Sequence, residues 1–183
     1  IPTPEEDRKD PMSPYALQKL VCEEYLELFH KLYSLNSISL RYFNVYSADQ
    51  VADGPYATCV ANWRRFVQEG RTPYITGDGE QRRDMAHVDD VVSANVFCMH
   101  NRNNKDLLGK AFDVGTGNNI SLNEMKDLVH KSLPSLQFEY VDDRPGDVRL
   151  TKADIRPLLD LGWVPKVDIT EGIEGCFSEF VNE

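Results

Sequence analysis

From Pro14 to Tyr33 apolar residues recur at three- and four-residue steps, at Leu17, Leu20, Val21, Tyr25, Leu28, Phe29 and Leu32, the spacing of one helix face. Ser13 can cap this helix and Pro14 suits its first turn, so a helix is expected to start there. The run Ile38 to Val45 has the length and apolar character of a buried strand. A helix followed closely by such a strand is a unit of a parallel sheet, and the strand's end, Asn44-Val45-Tyr46, is expected on the ligand-binding edge.

After the loop signal Asp53-Gly54-Pro55, the pattern predicts a helix over 56–69, a short strand over 72–76 and a turn at Gly77-Asp78-Gly79-Glu80. A helix is expected over 91–100, its first turn made acidic by Asp89 and Asp90, and a strand over 111–114 closed by Gly115-Thr116-Gly117. Ser121 and Glu124 have the spacing of a capping box and should open a helix reaching about Leu133. Extended chain is expected over 137–141, with helices over 152–161 and 169–181. The fold class this implies is α/β.

Composition narrows the functional classes. Thirty acidic residues against twenty basic ones leave a net charge of -10, which argues against nucleic-acid binding and makes any anion site depend on arginines placed within motifs. Cys22, Cys59, Cys98 and Cys176 are scattered without metal-ligand spacing, so free thiols in a cytoplasmic protein and no metal centre are expected. No apolar run reaches the roughly 18 residues of a membrane helix. The chain opens at Ile1, in a loop-like tract without Met, and reads as part of a longer protein.

Tyr15 and Lys19 lie four apart, so they share a helix face about one turn from each other. A free phenol titrates near pH 10, too high for a neutral-pH base, and a nearby cation lowers it by favouring the phenolate. Such a tyrosine can take a proton from an alcohol. Alone, such a pair is common and reads first as an ordinary helix surface.

The surrounding blocks are more specific. Ser13-Pro14-Tyr15-Ala16-Leu17-Gln18-Lys19, Leu40-Arg41-Tyr42-Phe43-Asn44-Val45-Tyr46, Gly77-Asp78-Gly79-Glu80-Gln81-Arg82-Arg83-Asp84, His87-Val88-Asp89-Asp90-Val91, Phe112-Asp113-Val114-Gly115-Thr116-Gly117 and Arg144-Pro145-Gly146-Asp147-Val148 follow in one order. Together they resemble the extended short-chain dehydrogenase/reductases, specifically the nucleotide-sugar epimerase and dehydratase family, from Pro11 to about Phe177.

The resemblance implies the C-terminal part of a Rossmann-like doubly wound parallel sheet plus a smaller α/β substrate lobe. Residues 1–46 would end the NAD-binding domain, and 47–183 would form mainly the substrate lobe, with 86–117 returning to the first domain. It implies Tyr15 as catalytic base, Lys19 on the nicotinamide ribose of NAD, and Tyr42 beside the cofactor. Asn44 would contact the nucleotide diphosphate, and Arg83 and Arg144 would clamp it, since a guanidinium fork matches phosphate oxygens bidentately. Arg82 is the adjacent competitor for that place. Asp147 would accept from a ribose hydroxyl or orient Arg144, while Tyr74 and Thr76 would read a uracil. The tract 56–60 would lie along the ligand, with Asn62 and Trp63 within reach of it, although Trp63 reads more readily as core; His87 reads as structural.

Thr151 would occupy the position that gates the sugar's C2 substituent, and a small residue there leaves room for an acetamido group. The resemblance therefore points to a UDP-sugar substrate and a UDP-N-acetylglucosamine/UDP-glucose 4-epimerase, with a possible homodimer in the complete protein. A glucuronate epimerase or decarboxylase, a dehydratase, or a non-catalytic nucleotide-sugar-binding fragment are the alternatives. Two departures accompany it. No Gly-x-x-Gly-x-x-Gly element and no upstream Ser or Thr partner for the tyrosine occur in these residues, so the chain alone is not expected to hold NAD tightly or turn over. Ser47-Ala48 also replace the usual Gly-Pro after Tyr46.

Overall fold

The computed structural model describes residues 10–11, 13–54, 57–143 and 147–182. In chain order its elements are α1 (Pro14–Tyr33), β1 (Ser39–Tyr42), β2 (Asn44–Tyr46), α2 (Cys59–Gln68), β3 (Tyr74–Thr76), β4 (Arg82–Arg83), β5 (Met85–His87) and α3 (Val88–His100). They continue with β6 (Ala111–Val114), β7 (Ile120–Ser121), α4 (Leu122–Ser132), β8 (Glu139–Val141), α5 (Arg156–Asp160) and α6 (Ile169–Phe177), closed by a 3-10 helix at Ser178–Asn182. This is the α/β fold expected, with three of four strand pairs parallel.

α1 starts as its sequence directs: Ser13 Oγ accepts from the Ala16 N–H at 3.1 Å, and Pro14 fills the first turn, where no donor is required. Ser34, in the left-handed region, closes it by donating to the carbonyls of His30 and Phe29. None of its residues is buried, and Leu32 is 63% exposed. Arg41 of β1 ties the helix down through two bonds to the Glu23 carboxylate, at 2.8 and 2.9 Å.

β1 and β2 are one strand interrupted at Phe43, and the interruption exchanges partners. β1 runs parallel to β6, with Leu40 opposite Phe112, and β2 runs parallel to β5, with Val45 opposite Ala86. The Phe43 N–H still reaches Val114 O at 3.0 Å, whereas the next N–H, of Asn44, reaches Asp84 O at 3.1 Å. Crevices that admit ligands form where neighbouring strands diverge in this way. Asn44 stands at that divergence.

Met85 and Ala86 point to opposite sides of β5, as consecutive strand residues must, and each side has its own core. Met85 joins Tyr46, Val60, Trp63, Ile75, Met125, Ile173 and Phe177, between α2, α4 and α6. Ala86 joins Val91, Ala94, Phe112, Val114, Leu158 and Trp163, between the sheet, α3 and α5.

Several elements differ from expectation. β4, β5 and β7 are two or three residues long, too short to show a period. The helix expected over 152–161 shrinks to α5, because the N–H groups of Ala153 and Asp154 are turned to the carboxylates of Asp84 and Asp113, at 3.0 and 3.3 Å. α6 gives way to a 3-10 helix after Phe177, where Glu179 reaches back to Arg64 at 2.5 Å. Part of the helix expected over 56–69 lies outside the described residues. Among the described residues, no helix is long and apolar enough to cross a membrane, and no group of three His, Cys, Asp or Glu side chains is placed to hold a metal.

Candidate functional site

A cleft of about 380 Å³ opens beside the strand divergence. One wall is the start of α2, which supplies Thr58, Cys59, Asn62 and Trp63. Thr58 Oγ1 caps that helix by accepting from Ala61 N–H and donates to Gln50 at 2.6 Å. The opposite side is built by β3, β4 and β5, with Tyr74, Thr76, Arg83 and Met85, and by Asn44, Gln81 and Asp147.

The base of the cleft is tied together through β3. Trp63 Nε1 donates to Tyr74 O at 2.8 Å, and Gln81 Nε2 donates to both the main-chain and hydroxyl oxygens of Thr76 at 2.9 Å. The carbonyls of Tyr74 and Thr76 therefore each accept a bond from within the protein, and the Tyr74 ring packs edge-on against Phe66, 5.5 Å between centroids. Trp63 serves both readings open to it, being in the core and on the cleft.

Adjacent arginines separate cleanly. Arg83 faces the cleft and forms an ion pair with Asp147, while its other amine donates to Arg82 O at 2.9 Å. Arg82 turns away to α4, where it meets Glu124 at 2.7 and 3.2 Å and Asn119 at 2.7 and 3.0 Å. The Ser121 N–H and this guanidinium hold the Glu124 carboxyl below the usual range. Asp147, expected to serve a ribose hydroxyl or Arg144, is paired with Arg83; Arg144 lies outside the described residues.

The segment carrying Asp147 is strapped to β4. Arg82 N–H donates to Arg149 O at 2.9 Å and Thr151 N–H to Arg82 O at 3.0 Å. Arg149 grips Asp78 with both amines, at 2.7 and 2.8 Å, which brings that carboxyl down to about 2. Thr151 thereby comes against Asn44: its Oγ1 accepts from Asn44 Nδ2 at 3.4 Å and from Asp84 N–H at 3.3 Å. Asn44 Nδ2 also donates to Asp84 O at 3.1 Å.

Asp84 is the hub beneath this group. Its side chain is fully buried, and its carboxylate accepts from Thr116 N–H and Oγ1 at 2.7 and 2.8 Å and from the N–H groups of Gly117 and Ala153, both at 3.0 Å. The turn after β6 can approach so closely because residue 115 is glycine: a Cβ there would sit 2.6 Å from that of Ala153 and 3.0 Å from Asp84 Cγ.

The remaining expected residues lie apart. Tyr15 and Lys19 stand exposed at the start of α1, Lys19 Nζ 5.4 Å from the Tyr15 ring centroid, and neither lines the cleft. Tyr42 is also exposed and donates to Asn95 of α3 at 3.0 Å. His87 caps α3, accepting from Asp89 N–H at 3.2 Å, with its ring edge-on to Tyr46. Asp90, expected at the helix N-terminus for its charge, is buried and receives the N–H groups of Lys166 and Val167 at 2.7 and 3.1 Å. Gln81 and Asp84 were not singled out from the sequence; both lie inside the Gly77 to Asp84 block, and only their burial distinguishes them from its exposed acids.

Comparison with known proteins adds a family model described as the NAD dependent epimerase/dehydratase family, which matches residues 1–115. A UDP-glucose 4-epimerase of Mycolicibacterium smegmatis is 35% identical over 100% of this chain and 57% of its own length. A putative UDP-glucose 4-epimerase of Methanocaldococcus jannaschii is 34% identical over 95% of this chain and 55% of its own. Among solved structures, a UDP-N-acetylglucosamine 4-epimerase from Methanobrevibacter ruminantium, in complex with UDP-N-acetylmuramic acid, superposes with a TM-score of 0.88 at 32% identity, covering 100% of this chain and 58% of that one. The UDP-glucose 4-epimerase of Thermotoga maritima with UDP-glucose gives 0.87 at 35%, again over 100% and 58%. The chain thus spans about half the length of the relatives it matches.

Proposed function

This chain belongs to the NAD dependent epimerase/dehydratase family, and from that premise we propose that it forms the substrate-binding part of a UDP-hexose 4-epimerase that accepts both UDP-N-acetylglucosamine and UDP-glucose. The observation that carries this reading is the placement of Arg83 in a cleft with Asn44 and Tyr74, while Arg82 beside it is spent elsewhere. In a chain of net charge -10, a guanidinium kept at a cleft wall is suited to an anionic ligand. Asp147 holds it until a diphosphate takes its place, and Arg144 would complete the clamp. The substrates of the relatives support a UDP-sugar. Thr151 is small and held against Asn44, and a small residue at this place favours tolerance of an acetamido group at the sugar's C2. The core around Met85 belongs, on this reading, to the substrate lobe.

The residues present fit the nicotinamide-ribose end of NAD, because Tyr15 and Lys19 offer a phenol and an ammonium one turn apart on an accessible face of α1. When bound, NAD supplies the hydride acceptor for the sugar carbon. Lys19 would donate to the ribose and favour the Tyr15 phenolate by its charge, and Tyr15 would take the proton from the sugar's 4-hydroxyl. Arg83 would keep the diphosphate anchored while the oxidised sugar turns to present its other face.

Titration calorimetry of UDP-glucose and UDP-N-acetylglucosamine tests the substrate assignment, and a protein that binds neither refutes it. In the complete protein, Tyr15→Phe is expected to lower kcat for epimerisation by at least about 100-fold; a kcat near that of the unaltered protein removes Tyr15 from the role of base. The 183-residue chain by itself is expected to bind UDP-sugar without turnover.

A further inference from the structure

Tyr15, Lys19 and Glu23 follow at four-residue steps along α1, so each stands one turn from the next on a single stripe. Lys19 therefore has two neighbours that compete for it, the Tyr15 ring one turn toward the N-terminus and the Glu23 carboxylate one turn toward the C-terminus. Its long stem reaches either, and a carboxylate attracts an ammonium more strongly than a ring does. In the structure Lys19 Nζ lies toward Tyr15, 5.4 Å from the ring centroid, and Glu23 is turned to the sheet, its side chain 17% exposed. Arg41 of β1 holds it there. Its Nε and Nη2 each donate to one oxygen of Glu23, at 2.8 and 2.9 Å, the bidentate fork that matches a carboxylate. Its Nη1 reaches the buried Asp113 of β6 at 3.3 Å, which fixes the guanidinium from its other side.

We infer that Arg41 is a positioning residue for the Tyr15 and Lys19 pair: by occupying both oxygens of Glu23 it leaves the Lys19 ammonium to the phenol and to the nicotinamide ribose. This rests on the catalytic reading of that pair. The role is electrostatic, which separates it from the mechanical tie that the same bonds give α1. With Arg41 gone, the part-buried and poorly solvated Glu23 would draw the ammonium down the helix, and the phenolate would lose the cation that favours it. Asp113 shares the guanidinium, but through one bond at 3.3 Å, and it has the Asp154 N–H at 3.3 Å as a second donor, so Arg41 serves Glu23 first.

Three variants of the complete protein separate the charge from the tie. Arg41→Gln leaves Glu23 to compete for Lys19 and should lower kcat for epimerisation by about tenfold, the scale of one displaced charge contact, with KM for UDP-glucose within about twofold. Removing the acid as well, in Glu23→Gln/Arg41→Gln, should return kcat to within about threefold of the unaltered protein, although the tie is then lost altogether. Arg41→Lys keeps the charge without the fork and should also stay within about threefold. Unchanged kcat in Arg41→Gln overturns the inference, and a double variant as slow as the single one overturns it too, by leaving Arg41 a structural tie only. A tenfold loss in Arg41→Lys does the same, and that variant decides the matter if Arg41→Gln does not fold. A Tyr15→Phe protein that keeps its kcat refutes instead the reading on which the inference rests. Independently of turnover, NMR of protein carrying 13C-labelled lysine, without substrate, should show the Lys19 ε-methylene protons displaced upfield by the Tyr15 ring in the unaltered protein and the double variant, with that displacement lost in Arg41→Gln. Equal Lys19 shifts in all three refute the positioning role directly.

Discussion

Asp84→Asn removes one charge and almost no volume, so its effect isolates the hydrogen bonds of the hub. The carboxylate has two donors on each oxygen: Thr116 N–H and hydroxyl on Oδ1, Gly117 and Ala153 N–H on Oδ2. An asparagine must place its NH2 group at one of these positions. The better choice is the Oδ1 side, where the Thr116 hydroxyl can rotate to accept, but the Thr116 N–H at 2.7 Å then faces another donor. A charge-assisted bond is lost and a donor is left unpaired in a site with no exposed surface. Together these cost about 3 kcal/mol, allowing for the smaller burial penalty of the neutral amide. With a urea dependence of ~2 kcal/mol per molar, the unfolding midpoint should fall by about 1.5 M. A shift below about 0.5 M would show that the hub is not the constraint described. UDP-glucose affinity of the folded variant should fall too, since the main chain of Asp84 holds both Asn44 and Thr151.

Three further outcomes are expected. Arg83→Ala should weaken UDP binding by more than about tenfold, whereas Arg82→Ala should leave it within about twofold; calorimetry giving the reverse order would reassign the cleft arginine. Gly172→Ala would put a Cβ 2.0 Å from the hydroxyl of the buried Tyr46 and should lower the urea midpoint by the equivalent of at least about 2 kcal/mol. Gly175→Ala, on the same helix with nothing within 4 Å, is its control and should not destabilise. Burial pushes the Cys176 thiol up to about 11, above its unfolded value, so the stability it contributes is present below pH 9 and lost as pH rises through about 11. The urea midpoint should therefore decline above pH 9, and less steeply in Cys176→Ala; parallel profiles would dismiss the thiol as a contributor.

Much of this was legible from residues alone where an element is long or capped. The Ser121 and Glu124 pair makes both bonds of a capping box, Glu124 N–H to Ser121 Oγ at 3.1 Å and Ser121 N–H to Glu124 Oε2 at 2.9 Å, because that geometry is local and needs no tertiary partner. The apolar stripe of α1 is equally plain, yet it lies on the surface of this chain. Periodicity states that a face is apolar and says nothing of what covers it.

What the sequence could not show was the phase of residues 82–86. The resemblance favoured Arg83 over the adjacent Arg82, but alternation fixes only that the two point to opposite sides, not which side meets the ligand. In the structure Arg83 and Met85 line the cleft, while Arg82, Asp84 and Ala86 face away from it, so one alternation runs unbroken across β4 and β5. Asp84 sets that alternation. Four donors converge on its side chain and Gly115 leaves the space for it, so sliding the segment by one residue would bring Arg83 or Met85 into a pocket built for a carboxylate. The identity of the cleft arginine is thus decided by the buried acid beside it, whose partners come from residues more than thirty positions away.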